Sequence, residues 1–226
     1  MNTLDVPLGE LARTVPGATA VFRYFDLDFC CGGQLTLREA AAKRNIDPKI
    51  VAAELERVPS GAVADNTADL SNEALTELIL TRYHDLHRQQ LPELIRLAAR
   101  VELVHGGRPD CPAGLANELE NLRKDLEEHM RKEEQILFPM ITRGMTGAAV
   151  QPVAVMRRDH DDHGAALATI EKLTGGITPP AHACNTWRAL YTGLQAFRED
   201  LMDHIHLENN ILFNRIDGLI EDTNHG

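Results

Sequence analysis

Two segments of this chain put a histidine and a glutamate one helical turn apart and run at once into apolar residues. In EEHMRKEEQILFP, His129 precedes Glu133 by four residues; in MDHIHLENNILFN, 75 residues further on, His204 precedes Glu208 in the same way. Aligning residues 113–143 with 183–221 also superimposes Asp125 on Asp200, Leu126 on Leu201, and Ile136-Leu137-Phe138 on Ile211-Leu212-Phe213. A second pair of segments repeats with the first: HDLHRQQL, with His84 and His87, aligns with HDDHGAAL, with His160 and His163. His84 and His129 are 45 residues apart, His160 and His204 are 44 apart, so the chain holds two copies of one helical hairpin.

The apolar residues in these segments recur at helical spacing. Leu122, Leu126 and Leu137, then Phe197, Leu201 and Leu212, draw one-sided stripes, and the alternation of a strand is missing. Four helices are expected, at about 71–104, 113–143, 149–173 and 183–221, separated by GGRPDCPAG, RGMTG and GGITPPA. Such helices with short connections make an antiparallel four-helix bundle, so the fold class is all-α. Pro92 falls inside the first helix and is expected to kink it. Residues 1–58 read as a small domain of short helices punctuated by Pro16, Gly17 and a CCGG turn, and PSGAVADNTADL, residues 59–70, as a linker to the bundle at 71–226.

Positions i and i+4 share a helix face, and here His and Glu interrupt an apolar stripe, so they point inward. A carboxylate in a bundle interior is costly unless it is paired or coordinates a metal, and imidazoles beside it are good ligands. Two glutamates, Glu133 and Glu208, with His84, His129, His160 and His204 exceed what one tetrahedral zinc uses; two metals bridged by the glutamates satisfy every group. Oxygen and nitrogen donors without thiolate suit iron, and ligand type also permits zinc or manganese. His87 and His163 lie three residues past proposed ligands, and Asp125 and Asp200 stand one turn before His129 and His204, where a carboxylate can accept an imidazole N–H. His105 closes the first long helix, but about 31 Å separates it from His84 along a straight helix, and spacing alone does not select it.

The chain has 23 basic and 34 acidic residues, a net charge of −11, which excludes sequence-independent binding to nucleic acid or anionic lipid. The N-terminal MNTLDVPLGELARTVPG is not a signal peptide, and no apolar run reaches the ~18 residues of a membrane span, so a cytoplasmic protein is expected. Adjacent Cys30 and Cys31 are too close for ordinary disulfide geometry, which makes reduced thiols the default. In DFCCGGQLTL, the two glycines permit a tight turn with both thiols at its tip, near a helix start at Thr36, where amides favour a thiolate. Reactive or metal-handling thiols and an inert buried turn both fit that stretch.

Taken together, DFCCGG, RYHDLHRQQLPEL, HMRKEEQILFPMI, RDHDDH and LMDHIHLENNILF resemble, in order and along the whole chain, the Repair of Iron Centres family. The resemblance implies a hemerythrin-like bundle with two iron ions, and a role in restoring iron–sulfur clusters damaged by oxidative or nitrosative stress. It implies ligation by His84, His129, His160 and His204, bridging by Glu133 and Glu208, and a further ligand at His105. Iron donation to damaged iron–sulfur proteins, with a thiol role for Cys30 and Cys31, is the expected function rather than conventional turnover; a homodimer is left open. The rival readings are a sensor that binds oxygen or nitric oxide and a di-iron oxidoreductase acting on nitric oxide or peroxide.

Overall fold

The computed structural model describes residues 2–58 and 66–224, and they are helical almost throughout. A 3-10 turn (Thr3–Asp5) leads into α1 (Leu8–Thr14), α2 (Ala18–Tyr24), α3 (Leu37–Lys43) and α4 (Pro48–Arg57). Of the expected linker, residues 59–65 lie outside the described residues, and Asn66–Asp69 is one 3-10 turn. There follow α5 (Asn72–Ile79), a π turn (Leu80–His84) and α6 (Asp85–His105); then α7 (Leu115–Lys132), a π turn (Glu133–Leu137) and α8 (Phe138–Thr142). The chain continues with α9 (Thr146–Leu173), α10 (Asn185–His206), a π turn (Leu207–Leu212) and α11 (Phe213–Asn224). Among the described residues there is no strand, only an isolated bridge between Pro7 and Thr36. No described helix is long and apolar enough to cross a membrane.

Contacts divide the chain into two compact units, Glu77–Leu201 and Met1–Thr76 with Met202–Gly226. The first holds α6, α7, α8, α9 and most of α10, whereas the sequence placed the whole of 71–226 in the bundle. Leu91, Leu94, Ala98 and Val101 on α6, Leu115, Leu119, Leu122 and Leu126 on α7, and Trp187, Leu190, Leu194 and Phe197 on α10 are buried at spacings of three and four. α6 packs on α7 and α7 on α9. Arg198 of α10 donates to Glu171 of α9 at 3.0 Å. Gly193 lets α10 approach α6, because a Cβ there would lie 2.8 Å from a methyl of Leu94. α6 runs through Pro92 unbroken; the irregular turn of this long helix lies instead at Leu80–His84.

In the other unit, local signals set the short helices. Thr36 and Glu39 form a capping box that starts α3, and Asp47 caps α4 ahead of Pro48 at its first position. Phe22, Leu27, Phe29 and Leu37 are buried, each worth about 1.5–3 kcal/mol of removed apolar surface. Residues from the far end of the sequence join this core: the π turn Leu207–Leu212 packs on α1, and the ring of Phe29 meets His206 edge-on at 5.5 Å. Arg215 donates to the carbonyls of Ala68 and Leu70, at 2.9 and 2.8 Å. The apolar period of the last helix continues through residue 202 without a break, which is why the sequence gives no sign of this partition.

Candidate metal centre

Among the described residues there are three π turns, and each carries a proposed ligand: His84, Glu133 and Glu208. In both copies of the repeat the phenylalanine that closes the turn donates its N–H to the carbonyl of the glutamate five residues back, Phe138 to Glu133 and Phe213 to Glu208. A π turn is a single wide turn inserted into an α-helix, found most often at functional sites. Here it places a glutamate on the inner face without breaking the helix that carries it.

Within the bundle unit, His84, His129, Glu133 and His160 are buried, the carboxylate completely. One oxygen of Glu133 lies 3.4 Å from Nε2 of His84 and 3.4 Å from Nε2 of His129. Ligand atoms of His129, Glu133 and His160 lie within 4.8 Å of one another. Glu133 is therefore shared, with His84 as its partner in one grouping and His129 and His160 in the other. Two of the imidazoles, His84 and His129, are oriented from behind. Nδ1 of His84 bonds Glu134 at 2.9 Å, and Nδ1 of His129 bonds Asp159 at 3.3 Å. A carboxylate there accepts the Nδ1–H and leaves Nε2 as a lone-pair donor, the arrangement typical of metal-bound histidine.

A cation fits these positions. Nε2 of His129 and Nε2 of His160 are 3.1 Å apart. Two nitrogens bound at about 2.1 Å to one metal stand about 3.0 Å apart at a right angle and about 3.4 Å apart at a tetrahedral one. The shared oxygen, at 3.4 Å from two such nitrogens, falls in the same range.

In the other unit, His204 Nε2 and Glu208 lie 3.0 Å apart, both buried. The two residues after Glu208 turn to the thiol loop: Asn209 donates to the carbonyl of Cys30 at 3.1 Å and Asn210 to that of Phe29 at 3.0 Å. Asn210 also donates to Nδ1 of His206 at 2.9 Å. Burial, with the charge of Arg23, brings His206 down to about 4, so it accepts this bond as a neutral ring.

The other residues singled out in the sequence lie at different places in the structure. His105 ends the unbroken α6, 21 residues past His84, and there its ring lies 5.0 Å from that of Trp187 and its Nε2 3.4 Å from Cys184 Sγ. A rigid helix keeps it from the cluster, and the return bend that would bring it back does not occur. The histidine that does stand beside the cluster is His163, buried, with its ring 4.9 Å from that of His129. His87 is a core histidine, bonded to Gln90 at 3.3 Å and packed edge-on against Phe197. Asp200 bonds Arg82 and Gln90, at 2.9 and 2.7 Å, and Asp125 lines a groove with Glu128, Lys132, Asp159 and His163.

The thiols do not gain from a helix start, since the amide of Thr36 is taken by Glu39. Cys30 is buried, and its hydrogen bond with Cys31, burial, and the charges of Cys31 and Asp28 push its thiol well above the usual range.

The orienting residues were missed in the sequence, although each stands next to a ligand: Glu134 follows Glu133, and Asp159 precedes His160. Each orients a histidine on a different helix, so adjacency in sequence could not say which. The π turns left only a weak mark, three consecutive apolar residues where one stripe needs two.

A model of the hemerythrin HHE cation binding domain matches residues 77–216, and a model described as a domain of unknown function matches residues 4–59. The chain is 51% identical to the iron–sulfur cluster repair protein YtfE of Dickeya chrysanthemi, over 95% of this chain and 98% of that one. It is 52% identical to the protein of that name from Yersinia pseudotuberculosis, again over 95% and 98%. The counterpart in Citrobacter koseri is 47% identical over the same shares. At about half identity over almost the full length of these relatives, the chain belongs to the family of the iron–sulfur cluster repair proteins.

Proposed function

We propose that this protein holds a non-haem di-iron centre and supplies iron to iron–sulfur clusters damaged by oxidative or nitrosative stress. The observation that carries this reading is the buried Glu133 oxygen, equidistant at 3.4 Å from imidazoles in two groupings. A carboxylate so placed would be a donor common to both groupings. His84 serves one, and His129 and His160 serve the other. By the internal repeat, His204 and Glu208 are the counterparts of His129 and Glu133 and supply the remaining donors, so the ligand set is four histidines and two glutamates.

When bound, two irons supply a redox pair whose oxidation state sets how tightly each ion is held. The chain's own residues keep the donors ready. Glu134 and Asp159 hold the Nδ1 protons of His84 and His129, so neither ring must change tautomer when an ion arrives or leaves. Asp159 is itself kept as a carboxylate, at about 2, by His129 and then Lys132 against the opposing effect of burial. Four histidines and two glutamates would hold the ions through nitrogen and oxygen donors without thiolate. Cys30 and Cys31 take part in the hand-over. Damaged iron–sulfur proteins are the partners, and a cytoplasmic location belongs to this reading.

The test is an anaerobic transfer assay with the iron-loaded protein and an iron–sulfur enzyme inactivated by nitric oxide or peroxide. The enzyme should regain activity as this protein loses iron, and the Glu133→Ala, Glu208→Ala variant should restore nothing. Unchanged iron through many turnovers of nitric oxide or peroxide would replace this reading with an oxidoreductase. Reversible spectra without transfer or turnover would replace it with a sensor.

A further inference from the structure

Asp28, Cys30 and Cys31 stand apart from the histidine–glutamate donors, yet they form a cluster of their own. Sγ of Cys30 lies 3.9 Å from Sγ of Cys31 and 3.3 Å from Oδ1 of Asp28, and the same Oδ1 accepts the Cys31 N–H at 2.9 Å. These separations are those of a metal site. With metal–sulfur bonds of about 2.3 Å, two thiolates on one tetrahedral ion stand about 3.8 Å apart, and a thiolate and an oxygen bound at about 2.1 Å stand about 3.6 Å apart.

The backbone is shaped to hold that cluster. A Cβ on Gly32 would meet the backbone and side-chain oxygens of Asp28 at 2.9 and 3.2 Å, so only glycine lets the aspartate fold over the thiols. Asn209 and Asn210 hold the carbonyls of Cys30 and Phe29. A Cβ on Gly33 would meet Asn210 Oδ1 at 2.7 Å, so this glycine is what admits the clamp. In the first copy of the repeat the residue after the bridging glutamate is Glu134, which orients His84; in the second it is Asn209, which grips the thiol turn. The second copy has thus exchanged a ligand-orienting role for one that ties Cys30 to the residue next to Glu208.

We propose that Asp28, Cys30 and Cys31 form a separate thiolate-bearing cation site that takes one borderline divalent ion such as ferrous iron or zinc. Binding exchanges the two thiol protons, released to solvent, for two metal–sulfur bonds, with no change in oxidation state. Three protein donors leave a fourth position for solvent or for a thiolate of an incoming client. Asp28 is exposed and Cys31 half-buried, which gives the ion a way in, while the buried Cys30 anchors the site. A buried thiol that keeps its proton at neutral pH resists adventitious oxidation until an ion displaces that proton. A staging role for this site in iron hand-over rests on the repair reading above; the binding itself does not.

The experiment is an anaerobic titration of the iron-loaded full chain with cobalt(II), reading the thiolate-to-cobalt charge-transfer absorption and iron content together. The native chain should bind one thiolate-ligated cobalt. Cys30→Ser and Cys31→Ser should each abolish the band, and Asp28→Asn should weaken binding about tenfold or more, while the iron held by the histidine–glutamate donors is unchanged in all three. Asp28 is exposed, so the Asn variant reports on the site even where a Cys30 variant fails to fold. Absence of the band in the native chain would overturn the proposal. So would a band that survives in the double serine variant, carried by Cys111 or Cys184, or an Asp28→Asn variant that binds as tightly as the native chain. A native chain that binds cobalt at these thiols but repairs no cluster would leave the site standing and remove the repair reading instead.

Discussion

If the protein holds two irons as proposed, replacing Glu133 and replacing His84 should have different stoichiometric consequences, because the structure places Glu133 in two groupings of candidate donors and His84 in one. Glu133→Gln keeps the shape of the side chain but removes the charge at the shared oxygen, and both metal ions should be lost. His84→Asn removes one donor on one side and should leave the ion held by His129 and His160. A ligand present at a thousandfold its dissociation constant stabilises the folded state by about 4.1 kcal/mol. Two ions held that tightly contribute about 8 kcal/mol, one about 4 kcal/mol, and none nothing. At roughly 2–4 °C per kcal/mol for a chain of this size, each ion lost lowers the midpoint by about 8–16 °C. Metal analysis and thermal unfolding, with and without added ferrous iron, should therefore give three steps: native, His84→Asn and Glu133→Gln. The metal-free forms should fall much closer together. A Glu133→Gln variant that retains one ion, or a His84→Asn variant that loses both, would refute the shared carboxylate.

Three further outcomes follow from residues around the ligands. Glu134→Gln removes the charge from the acceptor behind His84 and weakens its pairing with Arg88, and should lower the affinity for one ion about 10–100-fold in chelator competition while the second ion stays. Asp159 is held at about 2, below its ordinary ~3.9, so its bond to His129 stabilises the metal-free protein fully above about pH 4 and loses that effect as pH falls through about 2. Screening by solvent reduces the effect to about 1 kcal/mol, and Asp159→Asn should flatten the acid limb of a urea-unfolding series by that amount. His105→Ala should leave iron content unchanged, with a stability loss of about 1 kcal/mol or less from its contacts with Cys184 and Trp187. Loss of an ion in that variant would return His105 to the ligand set.

The repeat in the sequence determined the main architecture. Leucines at three- and four-residue spacing require helices with one buried face, and His–x3–Glu within such a face requires buried polar groups that only one another or a cation can satisfy. That reasoning reached the four-helix bundle and singled out His84, His129, Glu133 and His160, whose buried side chains the structure brings close together. It could not reach what depends on the alignment of one helix against another. Glu134 and Asp159 read as surface acids until α6, α7 and α9 are packed, when each meets a histidine on a neighbouring helix. Spacing could state only an objection to His105, and a straight α6 sustained it against the family resemblance. The π turns, the partition at residue 202 and the grip of Asn209 on Cys30 are likewise tertiary. A helix period records which face is buried, but not which partner covers it, and that choice falls to packing between residues almost 180 positions apart.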